Sequence, residues 1–327
     1  RMADMPAMTL LHLGAGYLNG GANIHNAKRA YTPMINVIGD HAVPHLRYDA
    51  PLTSNIIGLA GPNSTWIKSA DTVASTGKLA AEAWAASFGA PGGPVSLILP
   101  ADSAWTAGGT KASVPKRPVP LAVSSETVAR VAAALKAASK PVLLVNGSAT
   151  RAEGLALLAR LEAAGVRVLM DTFLARQTRG AGHFHPGRMM YFAEGAMADL
   201  AGTDLMVLAG TIPPAAFFAY PGKPSLLVPE GCTLDTLCGP EGDVIGGLSG
   251  LCEALSANAS APVAVRQVPD APQGALTAAS VGQSLARHMQ EGAIVSDDGV
   301  TSSLPIYLQT AAANPHDWLM LTGGAIG

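Results

Sequence analysis

Charged residues are scarce in this chain, and long apolar runs are missing from it. Only 13% of the residues are charged, the formal net charge is −2, and no basic run occurs. This composition argues against nucleic acid or an anionic membrane surface as a partner. No apolar run reaches the roughly 18 residues that a membrane-spanning helix needs. We therefore expect neither nucleic-acid binding nor membrane insertion.

Cysteine is equally rare. The three cysteines are Cys232, Cys238 and Cys252, an odd number at irregular spacings that fits neither a disulfide framework nor a zinc site. We expect free thiols in a reducing cytoplasm, and no signal peptide is visible. The chain opens on Arg1 and stops within a glycine turn, so we expect both ends to continue in a longer protein.

Small apolar residues dominate what remains. The hydrophobic content is 49%, with only 5% aromatic, which suits close packing of helices on sheets. Short apolar segments alternate with longer helical patterns, and proline-rich linkers separate them. The sequence predicts an α/β fold of three parallel-sheet sandwich blocks. They cover residues 1–118, residues 119–260 (Rossmann-like) and the beginning of a third block at 273–327.

The segment "LLHLGAGYLNGG" at 10–21 carries the strongest local pattern. We predict a strand, a tight glycine loop and a helix over residues 19–29. A Gly-x-Gly pair after a strand, with Asp40 at the end of the next strand, partly matches a dinucleotide fingerprint. The third glycine, Gly20, stands one position too late. The alternative is a loop that presents His12, which precedes the glycines.

Other histidines fall on predicted loops. His41 and His45 lie beyond the second strand, where α/β proteins gather their sites. His183 and His185 flank a phenylalanine before Pro186, and no third metal ligand lies nearby. We interpret that pair as part of a polar surface loop and predict no metal site in this chain.

Two predictions concern the second and third blocks. In the second, a helix begins with Ser125 as its N-cap, and residues 225–228 form a strand. In the third, "SDDGVTSS" places hydroxyl groups at 301, 302 and 303 before a helix. Such a start either binds phosphate or is ordinary N-capping, and the spacing alone favours neither.

Taken together, these segments resemble thiamine diphosphate-dependent enzymes of the acetolactate synthase and benzoylformate decarboxylase group. The stretch from "RMADMPAMTLLHLGAGYLNGG" to "INVIGDH" resembles the pyrimidine-binding domain, and "GPVSLILPAD" resembles its closing strand. The second block resembles the central domain. The segment from "EGAIVSDDGVTSS" to "LTGGAIG" resembles the opening of the diphosphate-binding domain. The resemblance covers essentially the whole chain.

The resemblance implies a role for individual residues. His12 would be a general acid and base, and Asn19 would lie near the cofactor. The carbonyl of Gly324 would accept a hydrogen bond from the cofactor's 4′-amino group. Ile326 would hold the cofactor bent, so that its C2 ylid can form. Two hydroxyl groups, on Thr301 and Ser302, would contact the diphosphate.

The resemblance also implies partners. The cofactors are thiamine diphosphate and Mg²⁺, the substrate is a 2-keto acid or an aldehyde, and the assembly is a homodimer or homotetramer. The chemistry is decarboxylation or carboligation, which makes the intact protein a lyase or transferase. No residue argues for FAD. The family's catalytic glutamate and its metal-binding Gly-Asp-Gly motif fall outside this chain, so we expect the chain alone to be inactive.

Substrate choice stays open. Phe217 stands where benzoylformate decarboxylase carries a second histidine, and Leu52 stands where acetolactate synthases carry an activating glutamine. Two alternatives also remain at this point. One is an NAD-dependent oxidoreductase with a Rossmann fold, built on residues 10–40. The other is a non-catalytic, degenerate homologue.

Overall fold

The computed structural model describes residues 1–326, whose contacts form two compact units. Unit 1 comprises residues 1–120 together with the described residues from Leu321 onward, and unit 2 comprises Leu121–Met320. The last described residues therefore group with the first block. The division into three domains stays a prediction. Within residues 1–326, no helix combines the length and apolar character needed to cross a bilayer.

Unit 1 is built on a four-stranded parallel sheet in the order β1-β2-β4-β3. The strands are β1 Ala7–His12, β2 Met34–Asp40, β3 Ile67–Ser69 and β4 Pro94–Pro100. The helices are α1 Leu13–Arg29, α2 Ile56–Ala60, α3 Val73–Ser87 and α4 Ala101–Trp105, with short 3₁₀ turns at Val43–Tyr48 and Gly61–Asn63. All four strands end at one edge of the sheet, where α/β proteins bind ligands.

The predicted glycine loop does not exist. Strand β1 ends at His12 and α1 begins at Leu13, so the glycines at 14, 16, 20 and 21 are all helical. Glycine is a poor helix former, but tertiary packing outweighs that preference. A β-carbon on Gly14 would lie 2.2 Å from the Ser54 hydroxyl, so only glycine lets the helix approach this closely.

Unit 2 contains a five-stranded parallel sheet in the order β10-β9-β5-β6-β8 and a three-stranded sheet in the order β11-β12-β7. The strands are β5 Pro141–Val145, β6 Arg167–Met170, β7 Gln177–Arg179, β8 Gly187–Arg188, β9 Leu205–Ala209, β10 Thr233–Cys238, β11 Ala293–Ser296 and β12 His316–Leu319. The helices are α5 Ser125–Ala137, α6 Ala152–Ala163, α7 Ala193–Asp199, α8 Val244–Ala254, α9 Ala278–His288 and α10 Leu304–Gln309, with a 3₁₀ turn at Gly147–Thr150. The α/β class is as predicted, although β7 runs antiparallel to β12.

Two local predictions for unit 2 need correction, and one strand was not predicted. The N-cap of α5 is Ser124, whose hydroxyl accepts a hydrogen bond from the Thr127 amide, and Ser125 is the first helical residue. Residues 225–228 form no strand and make only an isolated bridge to Ala215. The strand beside β9 is instead β10, which the sequence analysis missed.

The His183–His185 segment also differs from the predicted surface loop. Phe184 is buried, and the Nε2 of His185 accepts a hydrogen bond from the Gly180 amide at 3.2 Å. Within residues 1–326, no three His, Cys, Asp or Glu side chains are grouped so that they could hold a metal ion. The segment therefore serves packing.

Candidate functional site

A cleft of about 680 Å³ opens where β1, β2 and β4 end in unit 1. Its volume lies within the range of small-molecule sites, about 300–1,000 Å³. The residues that line it comprise His12, Leu13, Gly39, Asp40, His41, Ala42, His45, Leu52, Leu99, Ala101, Ala104 and Trp105. Three imidazoles and one carboxyl group thus face an otherwise apolar space, which is the composition expected of a ligand site.

The junction between β1 and α1 holds His12 at the cleft. His12 is the exposed last residue of β1, aligned with Gly39 of β2. The next residue, Leu13, is buried and has a φ of +54°, which is an unfavourable backbone conformation for a leucine. A β-carbon on Gly16 would lie only 3.2 Å from the Cβ of His12. A strained residue and a glycine therefore fix the strand end from which His12 projects.

Three polar side chains at or just after the end of β2 line the same cleft as His12. They are Asp40, His41 and His45. The amide of His41 donates a 2.7 Å hydrogen bond to the Asp40 carboxyl group. Burial raises the pKa of Asp40, and the nearby Asp71 raises it further, against the opposing effect of His41. The rings of His41 and His45 contact each other edge to face at 5.3 Å between centroids. A carboxyl group with a raised pKa in a cleft is typical of functional sites.

The glycines of α1 do not form the predicted loop. The space beside Gly14 is filled by Ser54 and Leu59, and the space beside Gly16 is filled by His12 and Leu11. Gly20 and Gly21 lie beyond the first turn of α1, where backbone amides bond within the helix. The contacts therefore explain these glycines through packing.

The turn that contains Gly324 lies on α1 at Asn26. The side-chain oxygen of buried Asn26 accepts hydrogen bonds from the Gly323 and Ala325 amides, both at 3.1 Å, and its amide group donates to the Ala325 carbonyl at 2.7 Å. The Thr322 hydroxyl donates to the Asn26 carbonyl at 2.6 Å. The turn is thus held without using the Gly324 carbonyl, and Ile326 is 67% exposed.

His12 and the Gly324 turn lie at opposite ends of α1. His12 directly precedes the helix, whereas Asn26 is in its last turn. At a rise of 1.5 Å per residue, 14 residues separate them by about 21 Å along the axis. Asn19, which lies between them, is exposed. One chain therefore does not bring His12 and the turn to one ligand.

Thr301 and Ser302 belong to unit 2 and are exposed. The Ser302 hydroxyl donates to the Gly299 carbonyl at 2.8 Å, and the Gly299 amide donates to Asp297 at 2.9 Å. Helix α10 begins only at Leu304, and its N-cap residue, Ser303, makes no side-chain capping bond. Ordinary capping by Thr301 or Ser302 therefore does not explain these hydroxyl groups.

Sequence reasoning missed a buried basic cluster in unit 2. Arg179 is 1% exposed, its Nη2 donates to the Tyr307 carbonyl at 2.7 Å, and its guanidinium stacks on the Tyr307 ring at 3.4 Å. Burial lowers the pKa of Arg179 to about 10. Burial also lowers the pKa values of His185 and His316 to about 4, with smaller contributions from Arg179. No sequence pattern signals this cluster, because strand pairing between distant segments creates it.

Phe217 belongs to an aromatic cluster of unit 2. Its ring centroid lies 5.1 Å from that of Phe173 and 5.0 Å from that of Tyr191. Phe218 contacts Phe217 at 5.8 Å. A phenyl ring cannot transfer protons, so this position can shape a binding surface but cannot act as an acid or base.

One curated protein shares sequence with the whole chain. "Putative acetolactate synthase large subunit IlvX" of Mycobacterium tuberculosis is 44% identical over 329 residues. The alignment covers 100% of this chain and 63% of that relative, so the chain spans less than two thirds of its length. No family model matches the chain.

Solved structures share its fold. A "putative thiamin diphosphate-dependent enzyme" from Mycobacterium smegmatis superposes with a TM-score of 0.75 at 25% identity, covering 98% of this chain and 65% of that one. A benzoylformate decarboxylase from Polynucleobacter necessarius gives 0.76 at 20% identity, covering 99% and 64%. A thiamine diphosphate-dependent 4-hydroxybenzoylformate decarboxylase from Rhodococcus jostii gives 0.76 at 16%, covering 97% and 64%. At these lower identities, the two decarboxylases show likeness of fold alone.

Proposed function

We propose that the chain belongs to the thiamine diphosphate-dependent enzyme family and serves decarboxylation or carboligation of a 2-keto acid, as in an acetolactate synthase; the 44% identical relative and the shared fold support this. The observation that carries the proposal is the cleft at the carboxyl ends of β1, β2 and β4, with His12 at its edge. The 44% identical relative has a matching name. The cleft with its histidine and the name of the relative both support chemistry on a 2-keto acid.

Several groups of the chain, both polar and apolar, suit thiamine diphosphate. The Gly324 carbonyl is not used by the bonds that hold its turn, so it can accept from an amino group. Ile326 offers an exposed apolar side chain, and Thr301 offers an exposed hydroxyl group for a diphosphate. The Ser302 hydroxyl would have to exchange the Gly299 carbonyl for the diphosphate. When bound, thiamine diphosphate would supply a nucleophilic carbon for chemistry at the keto group of the substrate.

His12 is the proposed proton-transfer group. Imidazole is the side chain whose ordinary pKa lies closest to neutral, so it can both hold and release a proton. Its fixed position at the strand end would let it hold a proton at the substrate's carbonyl oxygen. Asn19 would contribute a neutral hydrogen-bonding amide on the first half of α1.

The separation along α1 supports an assembly of two or more chains. A cofactor that contacts both His12 and Gly324 needs them close together, whereas one chain holds them about 21 Å apart along the helix. We propose that His12 of one chain and Gly324 of another serve the same cofactor, in a homodimer or homotetramer. Light scattering after size-exclusion chromatography tests the assembly, and a monomer at micromolar concentration would contradict it.

Magnesium is proposed as the second cofactor, with ligands beyond those described here. Among residues 1–326, no group of metal-binding side chains occurs. We therefore propose that the 327-residue chain releases no CO₂ from a 2-keto acid, even with thiamine diphosphate and Mg²⁺ present. Turnover by this chain at rates typical of enzymes, about 1–10³ s⁻¹, would overturn that proposal.

A chimera tests the function itself. This chain would replace the aligned 63% of the Mycobacterium tuberculosis relative, and CO₂ release from phenylglyoxylate and from 2-ketobutyrate would be measured. We expect turnover, and we expect His12→Ala to lower kcat by about 10²–10⁴-fold, the usual contribution of an acid or base. Thiamine diphosphate affinity, measured by calorimetry, should stay nearly unchanged.

Two results would count against this function. A His12→Ala chimera with unchanged kcat would remove His12 from the mechanism. A calorimetric titration that shows NAD binding to the 327-residue chain would favour the oxidoreductase alternative instead.

A further inference from the structure

The cleft beside His12 contains a second pair of imidazoles that the proposed function leaves without a role. His41 follows the last residue of β2, and His45 lies one turn later in the 3₁₀ segment Val43–Tyr48. Their rings meet edge to face at 5.3 Å, and both line the same cleft. Two imidazoles in contact, facing one small space, can act on one group of a ligand.

These imidazoles are the hydrogen-bond donors that the side chains of the cleft offer. No lysine or arginine is among the described residues that line it. The nearby Arg47 donates from its Nη2 to the Tyr48 hydroxyl at 2.6 Å, and its guanidinium lies 4.7 Å from the centroid of that ring. A ligand with a carboxylate would therefore find ring N–H donors in His12, His41 or His45.

The two carboxyl groups near the pair each bind a backbone amide of the same loop. Asp40 accepts a hydrogen bond from the His41 amide, and burial raises its pKa. Asp102 accepts a 3.1 Å hydrogen bond from the Val43 amide. One oxygen of each carboxyl group is therefore occupied, and both bonds hold the segment that carries the pair.

His41 has an unused hydrogen-bonding atom. Its Nε2 is shielded from solvent and has no hydrogen-bond partner among the described residues. A buried polar atom without a partner is unusual in a folded protein. A ligand that hydrogen-bonds to this nitrogen would supply the missing partner, so His41 has a polar atom to offer in addition to its contact with His45.

We propose that His41 and His45 bind the carboxylate of the 2-keto acid substrate, while His12 transfers protons. Apart from Asp40, the remaining wall is apolar and includes Leu52, Leu99 and Trp105, of which Trp105 is 71% exposed. The substrate class is therefore a 2-keto acid with an apolar side chain. This inference rests on the proposed function for the identity of the ligand, but its test requires no turnover.

Nuclear magnetic resonance can test the proposal on the 327-residue chain. Histidine side chains labelled with ¹⁵N would be followed while phenylglyoxylate is added, and its methyl ester and sodium acetate would be added in parallel. We expect phenylglyoxylate to shift the His41 and His45 ring signals with saturation. The ester, which lacks the carboxylate, and acetate, which lacks the apolar part, should bind at least about tenfold more weakly.

Variants separate the pair from its surroundings. His41→Gln and His45→Gln should each raise the Kd for phenylglyoxylate about tenfold or more, whereas His288→Gln, an exposed control on α9, should not change it. Amide spectra would establish that each variant is folded, and His45→Gln, at an exposed position, tests the pair if His41→Gln does not fold.

Three results would overturn the proposal. They are equal binding of the ester, equal binding of acetate, and unchanged affinity in both folded variants. An inactive chimera with intact, His41-dependent keto-acid binding would count against the proposed function and leave the carboxylate site standing.

Discussion

The central strands of the five-stranded sheet in unit 2 and the edge strand β1 of unit 1 differ in how completely they are buried. In unit 2, every residue of β9 is buried, and β5 is buried from its second residue onward. In unit 1, the edge strand β1 leaves Met8 72% and Leu10 80% exposed, and its last residue opens onto the cleft. Parallel strands are usually covered on both faces. Strands β5 and β9 follow that rule, and β1 departs from it beside the candidate site.

Backbone strain marks the candidate site of unit 1, although it is not confined to that unit. Leu13 combines burial with a positive φ at the point where β1 turns into α1. Ser256 and Val300 of unit 2 also have a positive φ. Strain of this kind costs on the order of 1–3 kcal/mol and persists where the surroundings enforce it. Because Leu13 directly follows His12, this strain lies at the strand end that presents the imidazole, whereas β5 and β9 form the packed frame of unit 2.

The largest expected effect tests the difference in burial. Leu144 in β5 is fully buried, and Leu144→Ala should lower the free energy of unfolding by about 2–5 kcal/mol through lost packing and a cavity. The matched control, Leu10→Ala in β1, should change it by less than about 0.5 kcal/mol. Calorimetric melting of both variants checks this pair. Equal losses would show that β1 is covered in solution.

The next effect concerns Asn26 of unit 1. Asn26→Ala removes three hydrogen bonds to the turn backbone and leaves those groups without their partner, at a cost of about 1–3 kcal/mol. Hydrogen exchange should accelerate at the Gly323 and Ala325 amides. Asn19→Ala, at an exposed position on the same helix, serves as a control. Unchanged exchange at both amides would mean that other contacts hold the turn.

The sequence predicts the sheets better than the connections. The strands around 34–38 and 95–99 appear as β2 and β4, because continuous apolar runs of this length suit buried parallel strands. The start of α1 was wrong by six residues, since the glycine content suggests a loop and only the packing against Ser54 explains a helix. Residues 225–228 are apolar enough for a strand, yet no neighbouring strand pairs with them.

The candidate site was predicted in part. His12 was identified from its position before the glycines, and the structure places it in the cleft. Asn26 was missed because its partners lie 297 and 299 residues further along the chain. The buried Arg179 was missed for the same reason, since β7 pairs with β12. A local sequence pattern can identify a residue at the end of a strand, such as His12. Contacts between segments that are far apart in the sequence can be identified only once the fold is known.

Acid should destabilise unit 2 through two histidines. Folding lowers the pKa values of His185 and His316 from 6.5 to about 4, mainly by burial. Between those values the unfolded chain binds more protons, so this contribution to stability is complete above about pH 6.5 and is lost as the pH falls towards 4. Each histidine contributes a slope of at most about 1.4 kcal/mol per pH unit.

Urea unfolding between pH 7 and 4 measures that slope. In the double variant His185→Gln/His316→Gln, stability should fall less steeply with acid than in the original chain. Parallel curves for the two proteins would mean that both histidines titrate normally when folded.

The smallest expected effect is at the buried arginine of unit 2. Arg179 has no carboxylate partner among the described residues, and its Nε and Nη1 make no hydrogen bond there. Replacing a buried, incompletely paired charge with an apolar side chain of similar length is often neutral or stabilising. The Tyr307 carbonyl that Arg179 contacts keeps a second donor, the Thr310 hydroxyl at 3.0 Å.

Arg179→Met should therefore change the free energy of unfolding by less than about 1 kcal/mol. Arg179→Lys, which keeps the charge but loses the flat stacking on Tyr307, should cost more. Urea unfolding of both variants decides the question: if methionine destabilises more than lysine, the charge itself is needed, and unit 2 contains a polar centre rather than a purely packed frame.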